Sequence, residues 1–131
     1  MPFSFLIKDI DMHDLFNLSL SQIIQALRAG DFSSRELTQC YLERITGMEK
    51  DIHAFITLTP DLAIEMADQA DRQLANWRVH QQSQIPALLG IPIAVKDVLC
   101  VKSVRCTCGS RILENFVPPF NATAVERLID R

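Results

Sequence analysis

The stretch Leu89-Gly90-Ile91-Pro92-Ile93-Ala94-Val95-Lys96-Asp97 limits the fold more than any other. Ile91, Ile93 and Val95 share one face at period two, and Pro92, Ala94 and Lys96 share the other. Both faces are largely apolar, the pattern of a strand covered on both sides. The sequence before it carries helical periodicity, and the sequence after it breaks into short strand-like runs and turns. An α/β fold is therefore expected. Lys96 stands where the apolar run ends. A buried lysine is costly when charged, so it must release its proton or find a partner. A neutral lysine is a competent general base near neutral pH. The plainer alternative, which spacing alone favours, is that Lys96 closes an edge strand and reaches into water.

Upstream, helix signals come in order. Ser19 with Gln22 forms a capping box before the stripe Leu20, Ile23, Ile24 and Leu27, and Gly30 supplies a stop. Ser33 with Glu36 forms a second box. Behind it Leu37, Cys40, Tyr41, Arg44, Ile45 and Met48 line one side, with Gly47 marking the expected end. The brief connection predicts an antiparallel pair. His53 to Leu58 alternates and reads as a short strand. Thr59-Pro60 opens a third helix that buries Ala63, Met66, Ala67, Ala70, Leu74 and Trp77. Glu65, Asp68, Gln69, Asp71 and Arg72 read as its solvated face. Residues 78–85 read as a surface loop. Val98 to Val104 is expected to fold back on the lysine strand through a turn at Lys102 and Ser103. Residues 111–119 read as irregular, because Pro118-Pro119 cannot sit inside a ladder. Thr123 with Glu126 forms a third capping box. Met1 to Leu18 is a lead-in whose role the residues do not reveal.

A chain of 131 residues suffices for one domain with a core, and its 48% hydrophobic and 22% charged residues argue against disorder. The net charge of −3 provides no electrostatic footprint for nucleic acid. No apolar run is long enough to span a bilayer. Met1 to Asp9 lacks a basic leader and is interrupted by Lys8, so it is not expected to be a signal peptide. A cytoplasmic location without membrane attachment is the default. Cys40, Cys100, Cys106 and Cys108 should be reduced there. Their spacing matches no common zinc pattern, and His13, His53 and His80 are scattered. No metal-ligating or cofactor-binding residue is therefore singled out.

Three runs together resemble one family. They are Gly90-Ile-Pro-Ile-Ala-Val-Lys96-Asp97, Arg105-Cys-Thr-Cys-Gly-Ser110, and Leu113-Glu-Asn-Phe-Val-Pro-Pro-Phe120-Asn-Ala-Thr123. In this order and spacing they are similar to the amidase signature family, and within it to the glutamine-hydrolysing subunits of tRNA-dependent amidotransferases. The resemblance implies an α/β/α fold with a mixed sheet. Residues 1–131 would form the N-terminal part of one such domain: 1–80 mainly helical, 88–131 the lysine strand, turns and a helix start. It also implies that Lys96 is the base of a Ser-cis-Ser-Lys triad. A serine hydroxyl is a weak nucleophile until a base takes its proton, and backbone N–H groups must hold the oxyanion. Asp97 and Ser110 fall in the matching runs and are expected to support the site from outside the reacting groups.

The implied reaction hydrolyses glutamine and passes ammonia to a partner protein. That partner uses ATP and Mg2+ to convert Glu-tRNA(Gln) to Gln-tRNA(Gln). The implied partners are the B and C subunits of a heterotrimer, with tRNA held by the complex rather than by this acidic segment. The family's glycine-and-serine-rich segment is absent: Gly30, Gly47, Gly90 and Gly109 lie in no such run. Val98 stands where the family often has Asn, Ser103 where it has Gly, and Cys106 where it has Thr. The 131 residues alone are thus expected to be inactive and to be part of a longer amidase. Two alternatives stay open: a stand-alone amidase acting on another amide, and a non-catalytic module.

Overall fold

The computed structural model describes residues 14–80 and 84–130. The expected lead-in therefore lies outside the described residues up to residue 13, as does the middle of the expected loop at 81–83. A 3-10 turn at Asp14–Asn17 leads into three helices: α1, Leu20–Ala29; α2, Ser34–Ile52; and α3, Pro60–His80. Both early capping boxes form. In each, the serine side chain accepts the N3 amide and the N3 side chain accepts the serine amide. Gly30, at φ 83°, closes α1: its amide reaches Ala26 O and Leu27 O, and the Asp31 amide reaches Ala26 O. This is a Schellman arrangement.

Ile23, Leu27, Leu37 and Leu74 form the core, with Leu18, Phe32, Tyr41, Ile85, Leu89 and Ile91 packed around it. Each helix thus gives up one apolar stripe. Leu20, Met48 and Met66, at the margins of the expected stripes, are exposed. The main helix contact is α2 along α3, which also meets α1. The antiparallel pairing expected of α1 with α2 is therefore secondary. Phe16 from the 3-10 turn meets Tyr41 edge-on at 5.3 Å and lies 4.3 Å under the Arg44 guanidinium.

Several expectations are corrected. Helix α2 runs through Gly47 and ends at His53, which adopts the left-handed conformation at φ 52°. One mid-helix glycine costs about 1 kcal/mol, and the following Met-Glu-Lys-Asp run is helix-tolerant enough to carry on. Helix α3 extends to His80, into the expected loop. There Arg78 binds the end of α1, donating to Leu27 O at 2.5 Å and to Arg28 O at 3.2 Å. Asp71 is not a free surface charge: it accepts Ser34 N at 2.7 Å and Arg35 N at 3.0 Å at the start of α2.

No strand forms among the described residues. Residues 53–58 meet no ladder partner; Arg105 reaches them instead, donating to Ile56 O at 2.7 Å and to Thr57 Oγ1 at 3.2 Å. Residues 91–96 have no regular secondary structure either. Ile91 packs on the helical core, but Ile93 and Val95 are 48% and 41% exposed. The double cover inferred from two apolar faces is thus missing over these residues. The turn at Lys102-Ser103 does form, closed by Val104 N to Val101 O at 3.0 Å, with Ser103 at φ 64°. Its flanks pair elsewhere than expected. Cys106 N reaches Phe116 O, Ser103 N reaches Pro118 O, Lys102 N reaches Asn121 Oδ1, and Ala122 N reaches Cys100 O. Residues 100–106 and 116–122 therefore run antiparallel. Pro118 takes part only through its carbonyl, as an imino acid must.

Downstream, Arg111–Leu113 is a 3-10 turn and Thr123–Ile129 is helix α4. The third capping box does not form. Ala122 is the cap residue, with no side-chain bond, and Thr123 is already helical.

Candidate functional site

The lysine-bearing stretch is tied to the helices at its start. Gly90, at φ 85°, accepts the Ser34 hydroxyl on its carbonyl at 2.8 Å. Ser34 is buried at the first turn of α2, so the stretch leaves the helical core at a defined point. Six residues on, Lys96 is exposed. Its carbonyl accepts Val98 N at 2.7 Å and Leu99 N at 2.9 Å, a tight turn directly behind the lysine. Among the described residues no hydrogen bond joins Lys96 to a hydroxyl, and none pairs it with a carboxylate.

Asp97 is the hub of the site. Its Oδ1 accepts Thr107 N at 2.9 Å, and its Oδ2 accepts the Thr107 hydroxyl at 2.5 Å and Gly109 N at 3.3 Å. Its carbonyl accepts Cys108 N at 2.9 Å and the Cys106 thiol at 3.6 Å. The acceptors of one aspartate thus organise four consecutive residues. Those residues lead into a turn closed by Ser110 N to Thr107 O at 2.9 Å, with Cys108 at φ 52° and Gly109 at φ 66°. Two positive φ values in succession define a type I′ turn. The Thr107 hydroxyl and amide, then Gly109 and Arg105, hold the Asp97 carboxyl below its ordinary range, against the opposing effect of desolvation.

Ser110 sits at the end of the same turn. Its hydroxyl accepts Ile112 N at 3.3 Å and caps the 3-10 turn. Asp97 and Ser110 therefore belong to one hydrogen-bonded loop cluster, and Lys96 precedes it in the chain. The Thr107 hydroxyl is spent on the Asp97 carboxylate, and the Ser110 hydroxyl caps the 3-10 turn. Cys106 is buried, and burial first, then the neighbouring Cys100, Cys108 and Asp97, push its thiol up to about 11. A thiol so hard to ionise is a poor nucleophile.

The residue that sequence reasoning overlooked is Thr107. Its signal was an aspartate ten residues before a Thr-Cys-Gly-Ser turn, a polar side chain followed by a tight loop that must satisfy its amides. Arg105, which fastens residues 56–57 to this loop, carried no comparable signal.

Residues 36–131 match the family model described as Amidase. The chain is also similar to curated proteins named as the A subunit of glutamyl-tRNA(Gln) amidotransferase. It is 45% identical over 117 residues to that of Dehalococcoides mccartyi, covering 89% of this chain and 23% of the relative. It is 46% identical over 112 residues to that of Hahella chejuensis, covering 86% and 22%, and 44% identical over 118 residues to that of Pelobacter propionicus, covering 90% and 23%. The chain thus spans less than a quarter of the length of these relatives. The matched stretch contains the lysine run, the Asp97 hub and the turn it holds, and on that match the chain belongs to the amidase family.

Proposed function

We propose that the chain supplies the lysine-bearing part of a glutamine-hydrolysing amidotransferase, with Lys96 as the general base. The observation that carries this reading is the high identity to the A subunits of glutamyl-tRNA(Gln) amidotransferases across the segment holding Lys96 and Asp97. In this reading the serine nucleophile, the relaying cis serine and the oxyanion donors come from sequence outside these 131 residues, and Lys96 takes the proton that makes the serine reactive. Asp97 and Ser110 hold the loop behind it. Residues 91–95, with Ile93 and Val95 exposed, take strand partners from the same outside sequence, completing an α/β/α amidase domain of which residues 1–131 are the N-terminal part. The other members of the complex are its B and C subunits, which make a heterotrimer with the amidase. Ammonia released from glutamine passes to the partner that holds ATP and Mg2+ and amidates Glu-tRNA(Gln). No residue of this chain is assigned to nucleotide, metal or tRNA. No helix among the described residues is long and apolar enough to cross a membrane, and the proposed location is the cytoplasm.

The test is a hybrid in which this chain replaces the matched segment of the Dehalococcoides mccartyi relative, assayed for glutamine hydrolysis with that enzyme's own partners. Lys96→Met should lower kcat by roughly two to four orders of magnitude, the range for loss of general acid–base catalysis. An unchanged kcat in Lys96→Met would refute the base assignment.

A further inference from the structure

The Asp97 cluster has an anchor, and it is a threonine. Thr107 is only 5% exposed, whereas Lys96, the residue next to Asp97, is in water. A buried hydroxyl needs partners, and this one has two: it donates to Asp97 Oδ2 and accepts Gly109 N at 3.1 Å. The 2.5 Å contact to the carboxylate is a short, charge-assisted bond. The Thr107 amide takes the other carboxylate oxygen. Asp97 is thereby fixed through its side chain and, at its carbonyl, through Cys108 N. The peptide joining Lys96 to Asp97 has little freedom left, because the Lys96 carbonyl is itself held by Val98 N and Leu99 N.

We propose that Thr107 is a positioning residue for Lys96, acting through Asp97 to fix the backbone from which the lysine projects. This rests on the reading of Lys96 as the base. A general base must meet its proton at hydrogen-bond distance, and a misplacement of about 1 Å costs up to about a hundredfold in rate. A long, flexible lysine can meet that tolerance only if its Cα is held.

The experiment compares Thr107→Val, which keeps the shape and removes the hydroxyl, with Thr107→Ser, which restores it. In the hybrid enzyme, 15N relaxation should show the Lys96 and Asp97 amide order parameters falling from about 0.85 to below about 0.6 in Thr107→Val. They should recover in Thr107→Ser, with the amides of α1 to α3 unchanged in both. In the hybrid enzyme, Thr107→Val should lower kcat about tenfold with KM within about twofold, and Thr107→Ser should restore it. If Thr107→Val does not fold, Asp97→Asn, which keeps the shape and weakens the clasp, carries the same expectations.

Unchanged order parameters, or a kcat loss that serine does not rescue, would overturn the positioning role. If Lys96→Met silences the hybrid while Thr107→Val leaves kcat intact, the proposal falls and the base assignment stands. If Lys96→Met leaves the rate unchanged, the base assignment fails, and the catalytic consequence of Thr107 fails with it.

Discussion

Gly90 shows how a single residue can be legible in position and illegible in cause. Its place at the entry to the apolar run was plain from the sequence. Its reason lies with Ser34, 56 residues earlier, whose hydroxyl it accepts. A Cβ on Gly90 would stand 3.2 Å from Ser34 Cβ and 3.5 Å from Leu27 Cδ1, both in the core, and the backbone there has φ 85°. Crowding and a left-handed side chain add in the same direction. Gly90→Ala should therefore destabilise the chain by about 1–3 kcal/mol, read as a lower urea midpoint at unchanged slope; an unaltered midpoint would contradict this. Ser103 is the converse case. A non-glycine residue there holds φ 64°, the conformation that glycine tolerates.

At the scale of the element, helix starts were more legible than helix ends. Ser19 with Gln22 and Ser33 with Glu36 formed as expected because a capping box is a local device, closed within four residues. Thr123 with Glu126 had the same spelling and failed, since the preceding Ala122 is held by Cys100 O and takes the cap position. Gly47 does not end α2, because nothing local competes with the helix there. Asp71 looks solvated in the sequence because its partners lie on another helix, although its spacing from Ala67 and Leu74 puts it beside the buried stripe. Asp71→Ala leaves two amides at the start of α2 without their acceptor and should cost about 1–2 kcal/mol. Asp68→Ala removes only the Arg35 pair, whose side chains are 51% and 36% exposed, and should cost about 0.5 kcal/mol or less. Equal losses in the two variants, measured by urea unfolding, would refute the distinction.

Across the whole molecule, the helical half was legible and the strand half was not. Periodicity at 91–97 and 53–58 reports a local preference, but a strand exists only where a neighbour supplies the ladder. Within these residues the neighbours are Ser34, Arg105 and the loop around Asp97. The candidate site follows the same division. Lys96, Asp97 and Ser110 were named from the sequence, while the bonds that gather the last two around Thr107 required the fold.

That loop also has an acid dependence of its own. The Asp97 carboxyl is held below its ordinary value, so its contribution to folding is complete above about pH 4 and is lost as pH falls through the depressed value. The Thr107 and Gly109 amides should keep their NMR shifts down to about pH 4 and move together only below it. Movement beginning near pH 6 would be inconsistent with the hydrogen bonds described.

Helix α3 carries Asp71 and Arg78 seven residues apart, two turns along one side. The acid reads the electropositive start of α2, and the base reads the electronegative end of α1. These two ends flank the short connection at 30–33. The spacing acts as a registration key. Sliding α3 by one turn, about 5.4 Å, would pull each charge off the helix end it matches, and docking it the other way round would set acid against acceptor carbonyls and base against donor amides. Charges matched to helix ends add a discrimination against such errors beyond that of the packed apolar stripe. In this chain two opposite charges, each matched to one helix end, favour the same alignment of the three helices as the core does.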